Sequence, residues 1–117
     1  MERIACINLA EFPLQLLVGR RPEWKDRPVA VVTRDNAQGT LLWVNERARE
    51  RRILPGMRYA SALSLSSNLH AGVVPPSEIE EAVAALSDRL RFFTSDVEPS
   101  KEEPGVFWLG ATGLSLL

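Results

Sequence analysis

Residues 5–17 read ACINLAEFPLQLL, a stretch that predicts a buried strand running directly into a short helix. The strand is expected over residues 3–8, where polar and apolar residues alternate and then give way to an apolar cluster. The helix is expected over residues 12–18. Pro13 suits its first turn, where a backbone N–H is not needed. Gly19 is predicted to end the helix as its C-cap.

Composition limits the function classes open to the chain. Its 117 residues are 45% apolar and 25% charged, an ordinary balance for a small globular domain. The net charge of -1 gives no overall attraction to nucleic acid or anionic membranes. The single cysteine, Cys6, cannot form an internal disulfide, which favours a reducing, cytoplasmic compartment. We expect neither a signal peptide nor a membrane span, since no apolar run approaches about 20 residues.

The rest of the sequence alternates between short strands and helices, which predicts a mixed α/β or α+β fold. Residues 28–32 and 40–44 are apolar runs separated by a turn, typical of a hairpin. Helices are predicted over 46–52, 59–65 and 77–91, the first capped by Asn45 and the last by a capping box of Ser77 and Glu80. Further extended segments are predicted at 69–74, 97–98 and 106–109. Residues assigned to the core by pattern alone are Cys6, Trp43, Met57, Phe92, Phe93 and Trp108.

Acidic residues that could hold catalytic metal ions are sparse. Two-metal phosphoryl transfer needs converging carboxylates, which usually stand at strand ends. The first strand end offers Asn8, Ala10 and Glu11, of which only Glu11 is charged, and the last strand is flanked by glycines. Further acids lie in what looks like a solvated turn, and the chain has no Cys or His pairs at metal-ligand spacing. No metal site is predicted.

Two surface features leave a functional and a structural interpretation open. The segment NERARERR at residues 45–52 places several arginines on one short helix, namely Arg47, Arg49, Arg51 and Arg52. They could contact DNA phosphates, or form a solvated face that Glu46 and Glu50 partly neutralise. Trp24 is predicted to lie in a loop, as a partner contact or as a packing residue.

Five stretches taken together resemble one family. They are IACINLAEFPLQLL, RPVAVV, LLWVNERARERRILPGMRYASALSLSSNL, VVPPSEIEEAVAALSDRL and EPGVFWLGATGL. In this order they are similar to the N-terminal part of Y-family (DinB/UmuC-like) translesion DNA polymerases. Within that family they resemble the ImuB branch, the polymerase-like subunit of the bacterial ImuA–ImuB mutagenesis cassette. The resemblance covers nearly the whole chain.

This resemblance implies an α+β fold: a partial polymerase palm, half of a ferredoxin-like sheet, with a small inserted fingers subdomain. Residues 1–27 would be the first palm strand and helix, residues 28–74 the fingers, and residues 75–117 the palm helix and strand. The palm would be cut before its remaining strands. We expect the apolar end of the sequence to be covered by a partner or a second copy, with contacts from Leu114, Leu116 and Leu117.

The resemblance also implies a polymerase site without its acids. In active members a metal-binding aspartate stands at the position of Asn8, and a second acid matches Ala10 less strictly. An aromatic sugar gate corresponds to Pro13, and an aspartate–glutamate pair corresponds to Gly105 and Val106. A fingers tyrosine corresponds to Glu46, whereas Arg49 keeps the family's arginine. The resemblance therefore implies a chain that binds no catalytic metal, carries no cofactor and is not an enzyme.

The function implied is that of a catalytically inactive scaffold in bacterial DNA-damage-induced mutagenesis. Its expected partners are ImuA and, through parts absent from this sequence, an error-prone C-family DNA polymerase and the sliding clamp. Weak DNA binding and self-association are further candidates, in the cytoplasm and on the damaged nucleoid, with no membrane role. Two alternatives stay open: an active Y-family polymerase using other acids such as Glu11 and Glu98, and an unrelated α/β interaction module.

Overall fold

The computed structural model describes residues 3–110, which form two small sheets and four α-helices. In chain order the elements are β1 (Arg3–Asn8), α1 (Phe12–Arg20), a 3-10 turn (Pro22–Trp24), β2 (Val29–Val32), β3 (Leu41–Val44), α2 (Glu46–Glu50), α3 (Tyr59–Leu65), β4 (His70–Gly72), α4 (Pro76–Leu90), β5 (Val97–Pro99) and β6 (Val106–Gly110). The mixed α+β class predicted from the sequence is confirmed. The described chain divides into two compact units, one before Pro13 and after Pro75, the other spanning Pro13–Pro75.

The first unit is a three-stranded antiparallel sheet in the order β1-β6-β5, with α4 packed against β5. Because β6 lies antiparallel between them, β1 and β5 run parallel. This is a split β-α-β arrangement, which makes up half of a ferredoxin-like sheet. Ile7 pairs with Phe107 across β1 and β6, and Phe107 is 1% exposed. It is the largest fully buried side chain among the described residues.

The second unit is a three-stranded sheet in the order β3-β2-β4. The predicted hairpin is present as antiparallel β2 and β3, and β4 adds in parallel on the other side of β2. All four residues of β2 are buried, as expected of a central strand covered on both faces. One core cluster lies against this sheet, formed by Ala30, Val32, Leu41, Val44, Ala48, Ile53, Ala62 and Leu69.

Asn45 links β3, α2 and the start of β2. Its Oδ1 accepts from the Ala48 N–H, as the predicted N-cap requires, and also from the Val29 N–H, both at 3.0 Å. Its Nδ2 donates to the Arg27 carbonyl at 2.6 Å. One half-buried side chain thus satisfies three backbone groups, two of them outside its helix.

Two predicted helix ends are wrong by one or two residues. Gly19 lies inside α1, which continues to Arg20, so it is not the C-cap. The helix ends there because Pro22 disfavours a helical conformation at Arg21, whose φ is -130° and ψ 71°. Ser77 lies within the first turn of α4 rather than at its N-cap, because the helix begins at Pro76, whose fixed φ suits a first helical position.

Three of the residues assigned to the core are exposed. Phe92 and Phe93 are 88% and 68% exposed, because α4 ends at Leu90 and both residues lie in the turn that follows, at residues 91–93. Their N–H groups donate to the carbonyls three residues earlier, so both leave the apolar face of the helix. Cys6 is also exposed, on the side of β1 opposite Ile7. Trp43, Met57 and Trp108 are half-buried.

No helix within residues 3–110 is both long and apolar enough to span a bilayer. The predicted partner contacts Leu114, Leu116 and Leu117 lie outside the described residues. The three-part division at residues 27 and 74 stays a prediction.

Candidate functional site

Asn8 and Val106 face each other at the ends of β1 and β6. They are paired in register, and the next pair is joined by a 2.8 Å hydrogen bond from the Leu9 N–H to the Gly105 carbonyl. Asn8 and Val106 therefore form a non-hydrogen-bonded pair, in which cross-strand side chains approach most closely. Asn8 is exposed and Val106 is buried. The structure thus brings an amide and an aliphatic side chain together at this sheet end.

Gly105, which precedes Val106, has a backbone conformation that few other residues could adopt. Its φ is +93°, a left-handed conformation that strains any residue with a side chain. A Cβ added there would lie 2.6 Å from Phe12 Cβ and 2.7 Å from the Leu9 carbonyl oxygen. Glycine is required by this turn, so a carboxylate at position 105 would need a rearranged backbone.

The residues that follow β1 complete this corner of the first unit. Ala10 is exposed in the turn and Glu11 is half-buried with a φ of 52°. Pro13, at the start of the second unit, is among the fully buried side chains. None of Ala10, Glu11 and Pro13 supplies the aromatic ring that the family resemblance assigns to a sugar gate.

Glu98, the other acid considered as an unusual metal ligand, lies in the middle of β5. It pairs with Trp108, which pairs on its other side with Cys6, so Glu98 shares a cross-strand row with Cys6. That row is two strand positions from Asn8. Within residues 3–110, no group of three His, Cys, Asp or Glu side chains is arranged to hold a metal ion.

The four arginines proposed to contact phosphates lie in or just after α2 of the second unit, and all are exposed. Arg47 and Glu50 are 3.7 Å apart, as are Arg49 and Glu46, both at helical i,i+3 spacing. Exposed pairs of this kind contribute little stability. The two glutamates nevertheless offset part of the positive charge, and Arg51 and Arg52 extend it beyond the helix.

Arg52 holds a left-handed conformation, with a φ of 66°, at the end of α2. Its N–H donates to the Arg49 carbonyl at 2.9 Å, and the Ile53 N–H donates to the Ala48 carbonyl at 3.1 Å. These two bonds form a Schellman motif, in which glycine is the usual residue at the position of Arg52. Buried Ile53 and Ala48 supply the apolar contact that accompanies it.

Trp24 packs within the second unit. Its ring stacks on His70 with centroids 5.0 Å apart and an interplanar angle of 24°, and the Arg21 guanidinium carbon lies 5.7 Å from the ring centroid. Nearby, Arg20 Nη2 donates to the Val73 carbonyl at 2.8 Å. Trp24 remains half-buried, so a partner contact there stays a prediction.

Comparison with known proteins decides the family. Residues 7–110 match the family model described as IMS, the impB/mucB/samB family. The chain belongs to the impB/mucB/samB family. A comparison with curated proteins finds no match.

Solved structures with the same fold are Y-family polymerases. A Dbh DNA polymerase in a post-insertion binary complex has 16% sequence identity and a TM-score of 0.74, with 90% of this chain and 30% of that chain covered. DinB from Sulfolobus solfataricus has 16% identity and a TM-score of 0.74, with 89% and 30% covered. A Y-family polymerase chimera based on Dbh has 16% identity and a TM-score of 0.76, with 89% and 30% covered. The chain therefore spans less than a third of these polymerases and has the fold of their N-terminal palm and fingers portion.

Tyr59 is the sole tyrosine of this impB/mucB/samB chain, and the pKa of its phenol is raised above the ordinary value. Its partial burial raises the pKa of the phenol, and the negative charge of Asp35 raises it further. A higher pKa in the folded state means that stability falls as the pH rises through the unfolded value near 10. Tyr59 is therefore neutral at physiological pH.

Sequence reasoning missed a groove along α4. The apolar spacing of Ile79 and Val83 favours a buried helix face, but both are half-buried and line an open groove in the first unit. Ser87 follows at the same spacing of four residues. A serine at an expected apolar position of the helical pattern was the signal available in the sequence.

Proposed function

We propose that this impB/mucB/samB domain is the palm-and-fingers part of an ImuB-type protein, a catalytically inactive scaffold in a bacterial DNA-damage-induced mutagenesis complex. The single observation that carries the proposal is the neutral Asn8–Val106 pair at the end of β1 and β6. By the family resemblance, metal-binding acids would stand at these two positions. An amide and a valine cannot balance the charge of two divalent cations.

The backbone at Gly105 supports the same proposal. The resemblance assigns an acid to this position too, yet a Cβ here would come within 2.7 Å of the Leu9 carbonyl oxygen and closer to Phe12. An acid at position 105 would therefore require a change of backbone conformation as well as a change of side chain. The turn between β5 and β6 has a conformation that depends on glycine.

The second unit contains one residue that favours nucleotide binding and one that opposes it. Arg49 matches the family's phosphate-contacting arginine, but Glu46 matches the family's tyrosine and lies 3.7 Å from Arg49. A carboxylate beside this arginine competes with an incoming triphosphate for the guanidinium and repels it. We infer that nucleotide affinity is low, and that any DNA contact uses the remaining arginines weakly.

As a scaffold, the protein would act by binding proteins. The proposed partners are ImuA, an error-prone C-family polymerase and the sliding clamp, the latter two through regions beyond this chain. The proposed location is the cytoplasm. Trp24 and the 114–117 segment remain the candidate contacts proposed from the sequence.

Isothermal titration calorimetry of the chain tests this proposal, with a deoxynucleoside triphosphate plus magnesium in one series and purified ImuA in another. We expect no nucleotide heat and measurable ImuA binding. Magnesium-dependent nucleotide binding would contradict the inactive role. Absence of ImuA binding would contradict the assignment to an ImuB-type complex.

A further inference from the structure

The second unit contains a charged cleft beside the edge strand β4, which we name the β4 cleft. Its volume is about 510 Å³, within the range of ligand-binding clefts. Arg20, Arg21 and Trp24 line it together with Asp35, and the rest of the lining is apolar or glycine. All of these residues belong to the unit Pro13–Pro75. The cleft therefore offers a ligand both an apolar surface and cationic groups.

Two neighbouring arginines line this cleft because α1 ends between them. On a continuous helix, side chains one position apart diverge by about 100° and do not face each other. Arg20 is the last residue of α1, whereas Arg21 leaves the helix with a φ of -130° and a ψ of 71°. This break in the helix lets both residues line one cleft, where two cations can act on one anion.

Each of these arginines is held by a different contact of the fold. Arg20 Nη2 donates to the Val73 carbonyl at 2.8 Å. The Arg21 guanidinium carbon lies 5.7 Å from the centroid of the Trp24 ring, and that ring stacks on His70. A guanidinium has five N–H donors, and stacking on an aromatic ring uses none of them. Trp24 thus orients Arg21 while leaving its N–H groups to an oxyanion.

The charges of the lining match a single negative charge. Within residues 3–110 no carboxylate forms an ion pair with Arg21, and Asp35 pairs with neither arginine. Two positive charges and one negative charge leave the lining with an excess of one positive charge. Arginine binds a carboxylate through two parallel hydrogen bonds. A phosphate group carries up to two negative charges, and Asp35 disfavours the second.

The sequence around the cleft argues against a nucleic acid as its occupant. A single strand needs a groove of positive charge that follows its backbone. After Arg21 the chain instead alternates in sign, because Glu23 and Asp26 separate Lys25 and Arg27 from the cleft arginines and from each other. The positive charge at the cleft is therefore local, which fits one acidic group of a partner protein.

The backbone of β4 argues against a partner that extends this sheet. The His70 N–H donates to the Pro28 carbonyl at 2.9 Å, which fixes the parallel ladder with β2. Ala71 and Val73 therefore direct their backbone groups away from β2. The Val73 carbonyl is already bonded to Arg20, which an added strand would displace. Since β4 is also only three residues long, the cleft recognises side chains rather than a strand.

We propose that the β4 cleft binds one acidic side chain, an aspartate or a glutamate, of a partner protein, with its carboxylate on Arg21 and Arg20. A neighbouring apolar residue of the partner would lie against Leu17 and Val73. The proposal deepens the scaffold function and rests on it in taking the occupant to be a protein. Trp24 is then a positioning residue that acts through Arg21.

The test is a titration of the ¹⁵N-labelled chain with a capped peptide that carries one glutamate between leucines. The Arg21 Nε–H and Trp24 indole N–H signals report on the cleft, and a peptide with glutamine in place of glutamate is the control ligand. Arg21→Gln and Arg27→Gln form a matched pair, because both arginines are exposed but only Arg21 lines the cleft. We expect Arg21→Gln to weaken binding about tenfold or more, and Arg27→Gln to change it by less than about twofold.

Three further variants test the roles of Trp24 and Asp35. Trp24→Leu should weaken peptide binding although Arg21 is kept, and Trp24→Phe should retain most of it, because an aromatic ring still orients the guanidinium. Asp35→Asn should tighten peptide binding and allow the chain to bind inorganic phosphate, because it removes the negative charge of the lining.

Three results would overturn the proposal: equal effects of Arg21→Gln and Arg27→Gln, equal binding of the glutamate and glutamine peptides, or tighter binding of a single-stranded DNA oligonucleotide than of the glutamate peptide. The titration contains no deoxynucleoside triphosphate, metal or ImuA. A failure of the β4 cleft is therefore distinguishable from a failure of the scaffold function.

Discussion

Asn45 shows how one residue can hold a unit of this size together. Its side chain caps α2 and also bonds the Val29 N–H and the Arg27 carbonyl. We expect Asn45→Ala to lower the free energy of unfolding by about 2 kcal/mol, because it removes a cap and two further hydrogen bonds to the backbone, one of them at the half-buried Val29 N–H. Urea denaturation measures this. Asn36→Ala, which removes one bond in an exposed turn, should cost less than half as much, and equal losses would contradict this role.

Gly105 provides a second test at the residue scale, because Gly56 is a matched control. Both have a φ of +93°, but a Cβ at Gly56 would meet nothing within 4 Å. Gly56→Ala should therefore cost only the conformational strain, about 1 kcal/mol, whereas Gly105→Ala should cost about 3 kcal/mol. Thermal and urea denaturation of both variants compare them. Similar losses would mean that the close contacts with Leu9 and Phe12 relax easily.

The end of α4 is the element that departs most from its expected role. Phe92 and Phe93 are exposed, so the double change Phe92→Ser and Phe93→Ser should leave the free energy of unfolding within about 0.5 kcal/mol. It should also reduce any self-association of the chain, because it removes an exposed aromatic pair. Light scattering over a concentration series measures this. A large loss of stability would show that the two rings are packed in the folded protein.

Elements with strong local signals were predictable from the sequence. The β-branched run before Thr33 and the Asn45 cap are sufficient to predict β2, β3 and α2. The parallel pairing of β4 with β2 was not predictable, since it depends on long-range packing. The exposure of Phe92 was missed because the helical period says nothing about where α4 ends. The left-handed Gly105 was missed because a glycine in a turn has many compatible conformations.

At the scale of the whole molecule, family membership and fold come from the match of residues 7–110 and from polymerase structures of which the chain covers 30%. The residue pattern already showed that the ends of the first and last strands carry few acids, but the pairing of Asn8 with Val106 came from the structure. The groove along α4 was not predictable from the sequence, because its second wall comes from residues around the end of β5. The central claim is that the paired ends of β1 and β6, at Asn8 and Val106, have the backbone fold of a polymerase palm but no charged side chains to bind a metal ion.

Manganese binding followed by electron paramagnetic resonance tests that claim most directly, comparing the native chain with the double variant Asn8→Asp and Val106→Glu. Two carboxylates on directly opposite residues lie close enough to share an ion. We predict no specific binding by the native chain and a gain of about tenfold or more in affinity for the variant, provided its circular dichroism is unchanged. Native binding as tight as that of the variant, lost on changing Glu11 or Glu98 to Gln, would contradict the account and indicate a site rebuilt from other acids.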